Sequence, residues 1–89
     1  MTRYKLAIKK SLDRRLTKLA RRDRALLRAV WKKVERLRTD PRIGKPLRAP
    51  MQNLRRVHLP GSYVLVYAID EAQRTVTLID LAPHDRVYR

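Results

Sequence analysis

The chain has 89 residues, which is room for one domain (1–89) with a single modest core. Hydrophobic residues make up 44% of it, enough to fold, so the 35% charged fraction is not the signature of disorder. The excess of 23 Lys+Arg over 8 Asp+Glu, a net charge of +15, instead implies a polyanionic or acidic partner. The absence of cysteine excludes disulfides and thiolate metal sites, and two histidines cannot build a metal site unaided, so no metal or cofactor is expected.

The N-terminus, MTRYKLAIKK, alternates apolar with polar residues and does not read as a signal peptide. Nor does any apolar run approach the roughly 18 residues that a membrane span needs, so a cytoplasmic protein without a membrane partner is expected. Tyr4, Leu6 and Ile8 alternate with Lys5, Ala7 and Lys9, the pattern of a short half-buried strand. Ser11 is placed to cap a helix carrying Leu12, Leu16 and Leu19 at helical spacing. A longer helix starts near Asp23, with Leu27, Val30, Val34 and Leu37 as its core stripe and Leu26 and Trp31 at the edges. Asp40-Pro41 ends it, because the residue before proline is driven out of the α region. The segment 41–53, PRIGKPLRAPMQN, is an ordered connector that Ile43, Leu47 and Met51 pin to the core.

Three strands follow at about 54–59, 63–69 and 75–81, joined by Pro60-Gly61-Ser62 and by residues 70–74. Loops this short make neighbouring strands antiparallel. The expected fold is α+β, in the order β-α-α-β-β-β: an antiparallel four-stranded sheet with an N-terminal helical hairpin packed on one face. Tyr63, Leu65, Tyr67 and Ile69 face the helices as core, while the smaller Val64, Val66 and Ala68 line an open face. Arg56 and His58 share a strand face, about 6–7 Å apart, so two phosphate-competent side chains sit side by side on rigid structure. On so basic a chain, that pair points to RNA and to cutting it.

The segments YKLAI, LRTDPRIGKPL, LRRVHLPGSYVLVYAID and PHDRVYR span nearly the whole chain. With them the sequence resembles the RelE/ParE superfamily of toxins from bacterial and archaeal toxin–antitoxin modules. The RelE-like branch consists of ribosome-dependent endoribonucleases that cut mRNA in the A site. The ParE-like branch poisons DNA gyrase on a nearly identical scaffold, and fold alone does not choose between them. The resemblance implies a cognate antitoxin, mRNA and the ribosome as partners, with operator DNA reached through the antitoxin. A degenerate toxin that retains only antitoxin binding is the third reading.

RelE-like enzymes carry basic residues on the strand before the central hairpin, an arginine early in the next strand, and a basic residue plus a tyrosine near the C-terminus. Position by position, Arg56 and His58 fall at the first pair, His84 or Arg86 at the C-terminal basic position, and Tyr88 at the tyrosine. The departure is Val64, where many relatives have an arginine that neutralises the scissile phosphate. Either Arg55, Arg56 or Arg86 supplies that charge, or the chain cuts poorly or not at all.

Metal-independent RNA cleavage needs a base for the ribose 2′-OH, a cation for the phosphate and an acid for the leaving 5′-oxygen. Histidine suits the first and third roles, its ordinary pKa of about 6.5 lying near working pH. The resulting assignment is His58 as general base, Arg56 as phosphate clamp, His84 as general acid with Arg86 beside it, and Tyr88 against the substrate nucleotide. Arg55, Lys45 and Arg48 are assigned to substrate binding, although alternation turns Arg55 to the opposite face, where a structural role competes. Asp85 either orients His84 or neutralises Arg86. Residues 9–48 hold sixteen Lys and Arg against Asp13, Asp23, Glu35 and Asp40, too lopsided for an ordinary solvated face. The hairpin is therefore read as a docking surface for ribosomal RNA or an acidic antitoxin segment.

Overall fold

The computed structural model describes residues 3–51 and 53–84. In chain order the elements are β1 (Lys5–Ile8), α1 (Lys10–Arg22), α2 (Arg24–Thr39), a 3₁₀ turn (Pro41–Ile43), β2 (Lys45–Pro46), β3 (Leu54–Leu59), β4 (Tyr63–Asp70) and β5 (Thr75–Pro83). They form one sheet in the order β1-β5-β4-β3-β2. The α+β class and the helical hairpin stand, but the expected four-stranded antiparallel sheet is corrected to five strands of mixed direction. β1 runs parallel to β5, from Lys5 opposite Thr75 to Ile8 opposite Leu78. A parallel pair needs a crossover, and the helical hairpin lies within it. The added strand, β2, is two residues of the connector paired with Arg55 and Arg56.

A single residue shapes the helical hairpin. The Asp23 N–H donates to Leu19 O at 2.9 Å, closing α1, while its carboxylate accepts the Leu26 N–H at 3.0 Å and caps α2. Ser11 lies inside α1 instead of capping it; Lys9 holds the cap position and offers no side-chain acceptor. On α2 the buried stripe is Leu26, Val30, Val34 and Leu37, so Leu26 belongs to the core and Leu27 to its edge. Trp31 stays 38% exposed. Asp40 repeats the logic of Asp23: its N–H donates to Arg36 O at 2.8 Å and its carboxylate accepts from Arg42 N–H at 3.3 Å, starting the 3₁₀ turn.

The core lies between the helices and one face of the sheet. Leu12, Leu16 and the α2 stripe meet Val57, Leu59, Leu65, Tyr67, Val76, Leu78 and Leu81. A register shift opposite Val66 and Tyr67 leaves Ile79 as the extra residue of a bulge, which is how Leu78 and Leu81 both reach that core. Tyr67 is fully buried, and its hydroxyl donates to Pro41 O at 2.6 Å and accepts from Gly44 N–H at 3.0 Å. Burial, the largest influence, pushes its phenol above the ordinary value. A Cβ on Gly44 would lie 2.7 Å from Arg56 O and 2.8 Å from Tyr67 Cε1, so only glycine lets the connector approach this closely. Leu47 and Ile43 join in pinning the connector, but Met51 is 44% exposed and does not.

At the far end of the sheet the Tyr4 hydroxyl donates to Glu71 at 2.9 Å, and the Arg74 guanidinium lies 4.3 Å from the Tyr4 ring centroid. That hydrogen bond, followed by burial, raises the Tyr4 phenol against the opposing charges of Arg74 and Arg42. Where β1 ends, Arg15 covers the exposed edge of β5 by pairing with Asp80 and donating to Leu81 O.

On β4, Leu65 and Tyr67 join the helix-side core, with Tyr63 and Ile69 packed against it. The other face corrects the expectation of an open surface: Val64, Val66 and Ala82 are buried there without belonging to the helix-side core.

Candidate functional site

The far face of the sheet carries Arg56 and His58. β3 pairs with β4 in the register Arg56–Val66 and His58–Val64, and Val64 in turn lies opposite Ala82 on β5. Arg56 is half-buried and His58 exposed, on the same face by strand alternation. Lys45 lies opposite Arg56 across β2, which puts it on that face as well. The Arg56 guanidinium reaches the carbonyls of Lys45 and Pro46 at 3.5 Å.

His84 follows β5, its N–H donating to Ser62 O at 2.8 Å. Gly61 and Ser62 both take positive φ (78° and 63°), tightening the β3–β4 turn beside it. The His58 and His84 rings stack with centroids 5.5 Å apart and planes 23° from parallel. Arg56, His58 and His84 are thus brought to one locality, with two imidazoles in contact and a guanidinium two residues away on the strand. Such a set can remove a proton, deliver one and hold an anion.

Other expected site residues lie elsewhere. Arg55 occupies the helix-side face of β3 and donates to Gly44 O at 2.7 Å, supporting the connector beside Tyr67. Arg48 is exposed in the connector. Asp85, Arg86 and Tyr88 lie outside the described residues. Val64 is fully buried between the strands that carry the two histidines.

A groove of about 360 Å³ between α2 and the end of β3 extends this site. Ala29, Lys32, Lys33 and Arg36 line it from the helix, and His58, Leu59 and Pro60 from the strand and turn. None of these three cations has a carboxylate partner among the described residues, and nearby Glu35 is paired with Arg3. Sequence reasoning treated the basic hairpin as a whole and did not single out this stripe. Positions 29, 32, 33 and 36 nevertheless follow the i, i+3, i+4, i+7 rule that marks one helix face. Among the described residues no helix is long and apolar enough to cross a membrane, and no three His, Asp or Glu side chains are grouped to hold a metal.

The chain is similar to known proteins over nearly its full length. Residues 4–88 match the family model described as the ParE toxin of the type II toxin–antitoxin system parDE. A candidate toxin, RelE4, of Methanocaldococcus jannaschii is 41% identical over 86 residues, covering 97% of this chain and 92% of that protein. Among solved structures, the toxin–antitoxin complex RelBE2 of Mycobacterium tuberculosis contains a chain 30% identical, with a TM-score of 0.74 and coverage of 91% here and 98% there. A YoeB/ParE toxin of Agrobacterium tumefaciens superposes with a TM-score of 0.79 at 17% identity, covering 90% of this chain and 98% of that one, a likeness of fold.

Proposed function

From the premise that the chain belongs to the RelE/ParE superfamily of type II toxin–antitoxin toxins, we propose that it is a RelE-like endoribonuclease. In this reading it cuts mRNA at the ribosomal A site through 2′-OH attack and is held inactive by a cognate antitoxin. The observation that carries the reading is the His58–His84 stack with Arg56 beside it. A docking module has no need of two imidazoles in contact, whereas cleavage needs a base and an acid on either side of one phosphodiester.

His58 takes the proton from the 2′-OH, and the resulting oxygen attacks the adjacent phosphorus. Arg56 holds the phosphate oxygens as charge accumulates on them, standing in for the arginine that Val64 replaces. His84 protonates the departing 5′-oxygen, leaving a 2′,3′-cyclic phosphate. Lys45, on the same face, contacts the backbone of the message. The antitoxin is proposed because the similar RelBE2 chain was solved in a toxin–antitoxin complex.

Primer extension on a defined message in a purified translation system tests this. New 5′ ends inside A-site codons, absent when ribosomes are omitted, are the expected result; an intact message throughout would refute it. One observation favours a second reading, in which the toxin acts on DNA gyrase without cutting RNA: the buried, apolar Val64 stands where RelE-like enzymes place a charge. A supercoiling assay is its test, with loss of gyrase activity as the expected outcome.

A further inference from the structure

The proposed cleavage ends with its two imidazoles in exchanged states. His58 has gained a proton, His84 has lost one, and the message ends in a cyclic ester. By microscopic reversibility, the group that protonates a leaving oxygen is the base for a nucleophile arriving at the same place. Water is such a nucleophile, entering beside His84 where the 5′-oxygen left. The geometry keeps both groups in reach of this second step. The rings are in contact, with centroids 5.5 Å apart, and the backbone sets their separation. His58 lies in β3 in register with Val64, and the His84 N–H is tied to Ser62 O at 2.8 Å, so neither ring has to travel. His58 is exposed and His84 half-buried, which lets water reach the pair once the 5′ fragment has gone. Among the described residues no carboxylate pairs with His58, so no fixed anion holds its ring as a cation. Arg56, two residues along the strand, keeps its hold on the phosphate.

We infer that the His58–His84 pair also opens the cyclic ester, a 2′,3′-cyclic phosphodiesterase activity whose substrate is the RNA end that cleavage leaves. The assignment of roles rests on the nuclease reading above, to which this adds a second reaction. Neutral His84 takes a proton from water, and the water oxygen forms a bond to phosphorus. The bond from phosphorus to the 2′-oxygen breaks, its electron pair stays on that oxygen, and protonated His58 supplies the proton. The product is a 3′-phosphate monoester beside a 2′-OH, with water as the one co-reactant. His58 is then neutral and His84 protonated, the states from which cleavage began, so the pair resets itself. His58 faces the 2′-oxygen in both steps, so only the 2′ bond opens, whereas hydroxide in solution opens either bond. Opening is the slower step. The 2′-OH is built into the message, and such intramolecular attack reaches effective molarities of about 10⁵–10⁸ M, which water lacks. Cyclic ends therefore appear first, and 3′-phosphate ends follow.

The test gives the full chain two ribosome-bound messages in heavy-oxygen water: one intact, the other ending in a preformed 2′,3′-cyclic phosphate at the A-site codon. The ends are followed in time by mass spectrometry. The preformed end is expected to become the 3′-phosphate alone, carrying one heavy oxygen, at least about 10²-fold faster than without the protein. His58→Ala and His84→Ala each lose that excess by a similar factor. Cyclic ends that persist on a message the parent has cut would overturn the inference and leave the nuclease reading in place. Opening of the preformed end without cutting of the intact message keeps this activity and removes the nuclease reading. Neither reaction by the parent overturns both. A mixture of 2′- and 3′-phosphates, or equal opening by His84→Ala, would overturn the inference in favour of background hydrolysis. The position of the phosphate is read on the unmutated chain, so misfolding of a variant cannot obscure the answer.

Discussion

The two sides of β4 put neighbouring residues to opposite uses. On the helix side, Tyr67 is fully buried, both its hydrogen bonds are made within the fold, and it locks the connector through Pro41 and Gly44. On the far side Val64 is equally buried, yet the strands flanking it bring together two histidines, one exposed and one half-buried. Polar groups on the helix side are spent on holding the chain, whereas on the far side His58 is exposed to solvent. Stability and activity are therefore separable on this sheet, and substitutions on the two sides should affect different measurements.

The strongest separation is expected from His58→Ala. Removing a general base lowers cleavage by about 10²- to 10⁴-fold. Because His58 is exposed, thermal unfolding should stay within about 0.5 kcal/mol of the parent. A variant that unfolds early would break the comparison by making His58 structural.

Tyr67→Phe is the converse. It strips the Pro41 carbonyl and Gly44 N–H of their buried partner, costing about 1–3 kcal/mol. Each kcal/mol lowers Tm by about 4–8 °C in a domain of this size. Cleavage measured well below the transition should persist, and its loss there would show that the connector acts directly on the site.

Asp23→Ala removes the α2 cap far from either side of the sheet. About 1 kcal/mol of stability is expected to go, read in denaturant midpoints, with cleavage unchanged.

The smallest effect near neutral pH concerns ionisation of Tyr67. Burial raises its folded-state pKa above the unfolded value near 10, so the folded state favours the neutral phenol. Its contribution is complete below pH of about 10 and is lost as pH rises through the folded value. Alkaline unfolding followed together with phenolate absorbance should show a larger loss in the parent than in Tyr67→Phe, where the raised Tyr4 phenol still contributes.

Much of this arrangement was legible in the sequence, and particular residues show where legibility stopped. Alternation along β3 and β4, with Pro60-Gly61-Ser62 between them, gave the central hairpin and placed Leu65 and Tyr67 toward the helices. β2 was invisible because Lys45-Pro46 is too short to carry a period. The parallel placement of β1 depends on where the helical crossover returns the chain, which local pattern does not encode. Leu26 and Leu27 are adjacent apolar residues about 100° apart around the helix, and packing made the choice. The bulge at Ile79 lies within a run of strand-forming residues with no glycine to mark it.

At the site, residue type spoke more clearly than position. His58 and His84 could be named from their polar settings, but residues so far apart in sequence meet only through the register of three strands. Val64 was singled out only through the resemblance, and its complete burial came from the fold. The α2 stripe was present as spacing, yet nothing local tied it to His58.

The most direct test of the central claim is single-turnover cleavage of ribosome-bound message by the parent and by His58→Ala, each verified as folded. The account predicts cleavage in the A-site codon by the parent, ends bearing a 2′,3′-cyclic phosphate, and a loss of at least about 10²-fold in the variant. Equal cleavage by both proteins, or none by the parent under conditions where it halts gyrase, would contradict it.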